Sequence, residues 1–287
     1  MTSDSAPATL PPELERQIFK TTAVLHEKMI PTLLLVARRV HEWVEPHLYS
    51  FIQISHTPIK NGHLTRLVHW LDHRPSHFFR RACRHLVLMD MGLENETGWN
   101  SADVDRLLLT CTGVTNLLIL ASNPLRPLVP CVPQLRPTHL ILFGQAVPRT
   151  TVAESFDFQV PLFQHLTHLQ LVGITQKYHV EWPHWPAIAG LSTLTHLAVF
   201  AERDVPAYIL SILPNLKGFV LYELDNSEMT SPDMLLDPRI FVESAFESVA
   251  SWYVGARGVD DIWVRADEFI ARKRRGEIEK SVYRWPK

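Results

Sequence analysis

The sequence predicts an α/β fold, an irregular solenoid on one parallel sheet preceded by a small α-helical module. Three observations carry this. A six-residue frame, apolar-x-x-apolar-x-apolar, recurs with small variations as CRHLVL (83–88), VTNLLI (114–119), PTHLIL (137–142), LTHLQL (166–171), LTHLAV (194–199) and LKGFVL (216–221). Segments between the frames space their apolar residues as helices do. The first fifty residues fit neither the frame nor its spacing.

Within each frame, the alternating apolar residues have the period of two expected of a strand with a buried face. YSFIQI (49–54) fits the same frame, and PRIFV (238–242) reads as one more strand. Aligning the eight gives a column of core residues: Ile52, Leu86, Leu117, Leu140, Leu169, Leu197, Phe219 and Ile240, set 21 to 34 residues apart. Between strands, Val104, Leu107, Leu108 and Cys111 form a helical stripe behind a cap at Asn100 or Ser101. Ile209, Leu210 and Leu213 do the same behind Asp204. Repeated strand–helix–strand units make the strands parallel and stack them side by side. The units resemble leucine-rich repeats of an irregular kind, without a regular Asn at the end of the frame. The segment from Val242 to Gly255 reads as loop and helix. A final helix then starts at a cap, Asp260, and buries Ile262, Trp263, Ala266, Phe269 and Ile270, with the expected role of hiding the last strand edge.

Near the N-terminus, Pro11 and Pro12 suit the first turn of a helix, where missing N–H groups cost nothing. Leu14 and Ile18, four apart, share one face of it. A second helix is expected from Pro31, with Leu35, Val36, Val40, Trp43 and Val44 as its stripe and Pro46 ending or re-aiming it. Helices this short need the repeat array, a partner, or both. The organisation expected is a leader over 1–8, a helical module over 9–48 and the repeat domain over 49–287.

In the module, L-P-x-E-x-x-x-x-I (Leu10, Pro11, Glu13, Ile18) precedes Leu35, Val36, Arg39 and Trp43, then Leu48 and Tyr49. This pattern resembles an F-box, and RRVHEWVEPHLY, LTHLxL and DDIWVRADEFIARKRRGEI together look most like the F-box-like proteins of mushroom-forming fungi with C-terminal leucine-rich-like repeats. The resemblance implies docking on a Skp-type adaptor, and through it a cullin, by Leu10, Pro11, Glu13, Leu14, Ile18, Leu35, Val36 and Trp43. The repeat domain would then present an unknown protein substrate to a ubiquitin ligase. Ala37-Arg38-Arg39-Val40 stands where the family has Cys-Lys-x-Trp, with Trp43 displaced. That departure is the basis of an alternative, a repeat-based scaffold whose degenerate F-box does not reach the adaptor.

At 46% hydrophobic and 20% charged residues, the chain has a globular composition. A net charge of −2 supplies no basic field for nucleic acid. The longest apolar run, five residues from Leu33, is far short of a membrane span, and the leader lacks a secretory signal core. Cys83, Cys111 and Cys131, without metal spacing, are expected as free thiols in a reducing compartment, cytoplasmic or nuclear. No nucleophile elbow, phosphate loop, dinucleotide fingerprint or C-x-x-C occurs, so no catalytic residue, no cofactor and no enzyme are expected.

One position of the repeat carries His85, Asn116, His139, His168 and His196. In a parallel sheet these form a ladder about 4.8 Å apart. Parallel side chains do not converge on a metal, so a polar row is favoured, with a His-based metal protein as the remote alternative. The neighbouring outward position reads Val87, Leu118, Ile141, Gln170, Ala198, Val220 and Phe241. If that face is open, the His row beside this apolar row is a partner face; otherwise a loop or helix covers it. Three smaller motifs have bland and sharp readings. His69 and His73 in HWLDH are a solvated face or a zinc pair. RKRR (272–275) is the polar side of a helix or a nuclear localisation signal. EWPHWP (181–186) is a core cap or a contact loop.

Overall fold

The computed structural model describes residues 10–56, 69–71, 73–90, 101–121, 134–144, 158–173, 180–200, 205–223, 237–244 and 261–285. Its centre is an eight-stranded sheet in which every pairing is parallel and strand order follows sequence order. The strands are β1 (Phe51–His56), β2 (His85–Asp90), β3 (Asn116–Ala121), β4 (His139–Gly144), β5 (His168–Gly173), β6 (His196–Val199), β7 (Gly218–Glu223) and β8 (Ile240–Ser244). The expected column is in register from end to end: Ile52 pairs with Leu86, then Leu117, Leu140, Leu169, Leu197, Phe219 and Ile240. The result is a solenoid-like α/β fold.

Helices lie between strands and pack on the face that carries this column. They are α4 (Ser76–Ala82), α5 (Ser101–Thr110), α6 (Trp185–Ala189) and α7 (Val205–Ile212). Phe79, Leu107, Leu108, Trp185, Ile188, Val205 and Ile209 join Leu86, Leu117, Leu140 and Leu169 in one core. The predicted stripe Val104, Leu107, Leu108 and Cys111 is fully buried there. Asn100, Asp204 and most of Val242 to Gly255 lie outside the described residues, so the caps and helix expected there are not placed.

A second ladder runs along the start of the strands. From β2 to β7 the first amides of each strand converge on the carbonyl of the residue just before the preceding strand, as Thr167 N and His168 N do on Thr138 O (2.9 and 3.0 Å). Threonine hydroxyls reinforce it: Thr115 Oγ1 donates to Arg84 O (3.2 Å), Thr138 to Thr115 O (3.3 Å), Thr167 to Thr138 O (3.1 Å) and Thr195 to Thr167 O (3.1 Å). Side-chain oxygens thus tie each repeat to the one before it.

The N-terminal module consists of α1 (Pro12–Leu25), α2 (Ile30–Leu33) and α3 (Arg38–Leu48). The single second helix expected from Pro31 is broken at Ala37, whose backbone is extended (φ −163°, ψ 155°). A straight helix would hold Ile30 and Val44 about 21 Å apart. The break lets Ile30, Leu33, Val40 and Val44 share one small core with Ala23 of α1. Pro46 does not end the helix; it sits inside α3, which runs on to Leu48. The module is tied to the sheet: Ser50 O accepts from Arg84 N and His85 N (3.0 and 2.9 Å), and Tyr49 meets Phe78 and Phe79 edge-on. Arg74 of the array pairs with Glu45 of α3.

The last helix, α8 (Ile262–Arg274), begins one residue later than expected, with Asp261 rather than Asp260 as cap. The Asp261 carboxylate accepts from Trp263 N and Val264 N, both at 2.9 Å. Its apolar residues are buried as predicted. Its position corrects the expectation: α8 lies across the second face of the sheet, not on its edge, and packs on Ala198, Val220, Tyr222 and Phe241. The segment after it reaches the edge strand, where Val242 N donates to Tyr283 O (2.7 Å).

Because the column carries the core, Leu169→Ala should destabilise the chain by about 2–5 kcal/mol. Urea unfolding measures this, and a loss below about 1 kcal/mol would mean that the column is not tightly packed.

Candidate functional site

Two surfaces hold the residues singled out by sequence. The first is the N-terminal module. Along α1, Glu15, Phe19 and Ala23 recur at four-residue intervals and turn toward α3; Ala23 is buried and Glu15 receives both ends of the Arg39 guanidinium (2.8 and 3.1 Å). Leu14 and Ile18, each one residue earlier, are rotated about 100° away from that face. They are accordingly about half exposed (49% and 51%), as is Leu10 at 57%. The break before α3 leaves Leu35 at 86% and Val36 at 55% exposed. Nine of the twelve large exposed hydrophobic residues among those described fall in residues 10–48, so the apolar surface is concentrated on this module. Pro11 and Glu13 are exposed as well, whereas Trp43 packs on the module's core.

The second surface is the sheet face bearing the histidine row; of its two readings, an open partner face or a covered one, burial favours the covered one. Val87, Leu118, Ile141 and Val220 are buried, and His196 is only 5% exposed. Over β6 to β8 the cover is α8; Val87, Leu118 and Ile141 cluster with Leu120. Gln170 is fully buried in the same row. His85, His139 and His168 are half-buried.

The row has a defined geometry. His139 and His168 stack at 4.1 Å with planes 9° apart, and His168 and His196 at 4.3 Å with planes 2° apart. Each ring is anchored by the threonine before it, with Nδ1 2.8–3.0 Å from Thr138, Thr167 or Thr195 Oγ1. Each hydroxyl thus sits between the preceding carbonyl and the imidazole Nδ1. His196 Nε2 lies 2.9 Å from Asp267 Oδ1 of α8 and carries the proton of that bond. The Trp263 ring meets His168 and His196 edge-on at 5.0 and 5.8 Å. At the next register position stands Gly218, where a Cβ would lie 2.7 Å from His196 Cδ2 and 3.3 Å from Ile270 Cδ1. Asp267, Trp263, Gly218 and the threonines were not among the expected site residues. The repeated Thr-His-Leu tripeptide was the available signal for the threonines.

Parallel stacked rings present their nitrogens side by side rather than toward one point, which is geometry for a ladder and not for a metal. Among the described residues no group of three or more His, Cys, Asp or Glu is arranged to hold an ion. His69 and His73 are exposed, with His73 Nδ1 2.7 Å from His69 O, while Asp72 lies outside the described residues. Trp185 is buried in the core with Trp182 packed against it, so this part of EWPHWP caps the array. In RKRR, Lys273 is buried, Arg272 lies over Trp285 and pairs with Glu277, and Arg274 donates to Lys217 O. Cys83 and Cys111 are buried free thiols; Cys131 lies outside the described residues.

Burial lowers the pKa of three histidines on this face. It pushes His85 down to about 4, helped by His139 and Arg84, and His168 to about 2, helped by its two stacked neighbours. His139 is also lowered by burial, with Asp261 opposing.

No protein-family model matches the chain, and no curated protein matches it either. Among the described residues, no helix is long and apolar enough to cross a membrane.

Two outcomes follow from this geometry. Histidines whose folded pKa lies below the unfolded value of about 6.5 contribute stability that is complete above that value and lost as pH falls through it, by up to about 1.4 kcal/mol per pH unit for each ring. The melting temperature should therefore drop between pH 7 and pH 5, and a flat profile would contradict the burial of the row. Gly218→Ala should cost about 1–3 kcal/mol by pressing on His196, measurable by thermal unfolding.

Proposed function

We propose that this chain is a protein-interaction adaptor, the substrate-recognition subunit of a Skp–cullin–F-box ubiquitin ligase, with an F-box-like module joined to leucine-rich-like repeats. The observation that carries the reading is the concentration of exposed apolar side chains on the module, at the positions the resemblance assigns to docking: Leu10, Leu14, Ile18, Leu35 and Val36. A helical surface of this kind gains affinity by burying such residues in a partner's groove, at about 25 cal/mol per Å² of apolar area removed from water. The chain would contribute no chemistry. It would raise the effective concentration of a bound protein near the ubiquitin-loaded enzyme.

One observation favours the alternative, a scaffold that does not reach the adaptor. Trp43 packs on the module's core, and Arg38 and Arg39 are engaged with Glu42 and Glu15. Trp43 and Arg39 are thus engaged within the module, although Leu35 and Val36 beside them are exposed.

Co-purification with a fungal Skp-type adaptor separates the two. Wild-type chain should capture the adaptor, and Leu10→Asp with Ile18→Asp should weaken capture by about 100-fold or more. Both positions are exposed, so circular dichroism and thermal unfolding should be unchanged. Absence of wild-type capture would end the ligase reading in favour of the scaffold.

A further inference from the structure

Helix α8 runs along the histidine row, crossing the strands. Asp261 is near enough to favour the protonated form of His139, Trp263 meets His168 and His196, Asp267 bonds His196, and Ile270 reaches the space that Gly218 leaves open. Row positions 139, 168, 196 and 218 cover three strand spacings, about 14 Å. From Asp261 to Ile270 the helix rises about 13.5 Å. The helix and the row are therefore commensurate, and each strand from β4 to β7 meets one turn or half-turn of α8.

We infer that the His139–His168–His196 stack and Asp267 form an acid-sensitive latch that holds α8 on the sheet at neutral pH and releases it on acidification. Among the described residues, the charged groups that bear on the stack can be named. From α8 come Asp261 and Asp267. From the sheet comes His85, at the far end of the row, with Arg84 beside it. Arg265 of α8 is paired with Glu243 of β8 (2.9 Å) and brings no free charge. Two carboxylates thus face three rings spaced 4.1 and 4.3 Å apart. Protonation of His139 and His168 would put like charges 4.1 Å apart beneath α8, and lifting the helix exposes them to water, which screens them.

Docked, His139 and His168 resist protonation because they are buried beside one another. Once α8 is released, the part of the lowering that comes from burial beneath it is lost, and both rings move up toward the ordinary value near 6.5 and take up protons. At pH 5 His168, held at about 2 while docked, then favours release by up to about thirtyfold, and His139 adds to it in the same direction. Release uncovers Ala198, Val220 and Phe241, the outward apolar row that α8 otherwise hides.

Hydrogen exchange of the full chain, followed by mass spectrometry from pH 7.5 to 5.0 and corrected for intrinsic rates, tests this. Protection of amides 262–274 should fall by about tenfold or more, with a slope of at least one proton per pH unit below about 6. Amides of β2 and β3 should keep theirs. A slope below one, or an equal loss across all strands, would overturn the latch. In His139→Asn with His168→Asn, which copies the residue already present at Asn116, protection at 262–274 should lose its pH dependence; an unchanged slope would overturn the latch as well. If that variant does not fold, the wild-type slope and its confinement to 262–274 decide.

Discussion

Every element of this chain depends on one column of apolar side chains held in register across eight parallel strands. A slip of one residue in any strand would turn its leucine to the opposite face and bring the outward residue into the helix-covered core. The column is fixed twice, by burial and by the hydroxyl ladder. Thr115, Thr138, Thr167 and Thr195 each bond the carbonyl of the preceding repeat, so register is set by polar bonds as well as by packing. Repeat lengths can then vary widely without disturbing the sheet.

The same register creates the second face. Because His139, His168 and His196 occupy equivalent positions, their rings stack, and a single straight helix can address all of them. Gly218 ends the row where a larger residue would press on both His196 and Ile270. Its lack of a side chain is needed for close approach, not for backbone freedom. The C-terminal half of the sheet is consequently a three-layer structure, with helices on one face and α8 on the other. The polar row within that interface is the costly part of the arrangement, since burial opposes charge on His139 and His168.

Much of this was legible. The apolar frame located all eight strands and their pairing, because a period of two with one buried face is a strong local signal. The second face was left between an open and a covered reading, although the cue that decides it was present: strands apolar at Val87, Leu118, Ile141 and Val220 as well as in the column are strands buried on both sides. An amphipathic helix in the last thirty residues was also recognised, but its docking place is a long-range property that no local pattern encodes. The break at Ala37 was equally hidden. Ile30, Leu33, Val40 and Val44 fit a single helical stripe about as well as two packed segments, and only the shared core with Ala23 decides between them.

The module's exposed residues take on meaning from this division. In the array, outward apolar side chains are covered, by α8 at the C-terminal end. In the module, Leu10, Leu14, Ile18, Leu35 and Val36 are not, while its own small core is already filled. The most direct test is a hydrogen-exchange footprint of the full chain with and without a Skp-type adaptor. Docking through the module predicts new protection confined to about residues 12–37. No change in that segment, or protection that appears on the sheet and α8 instead, would contradict it.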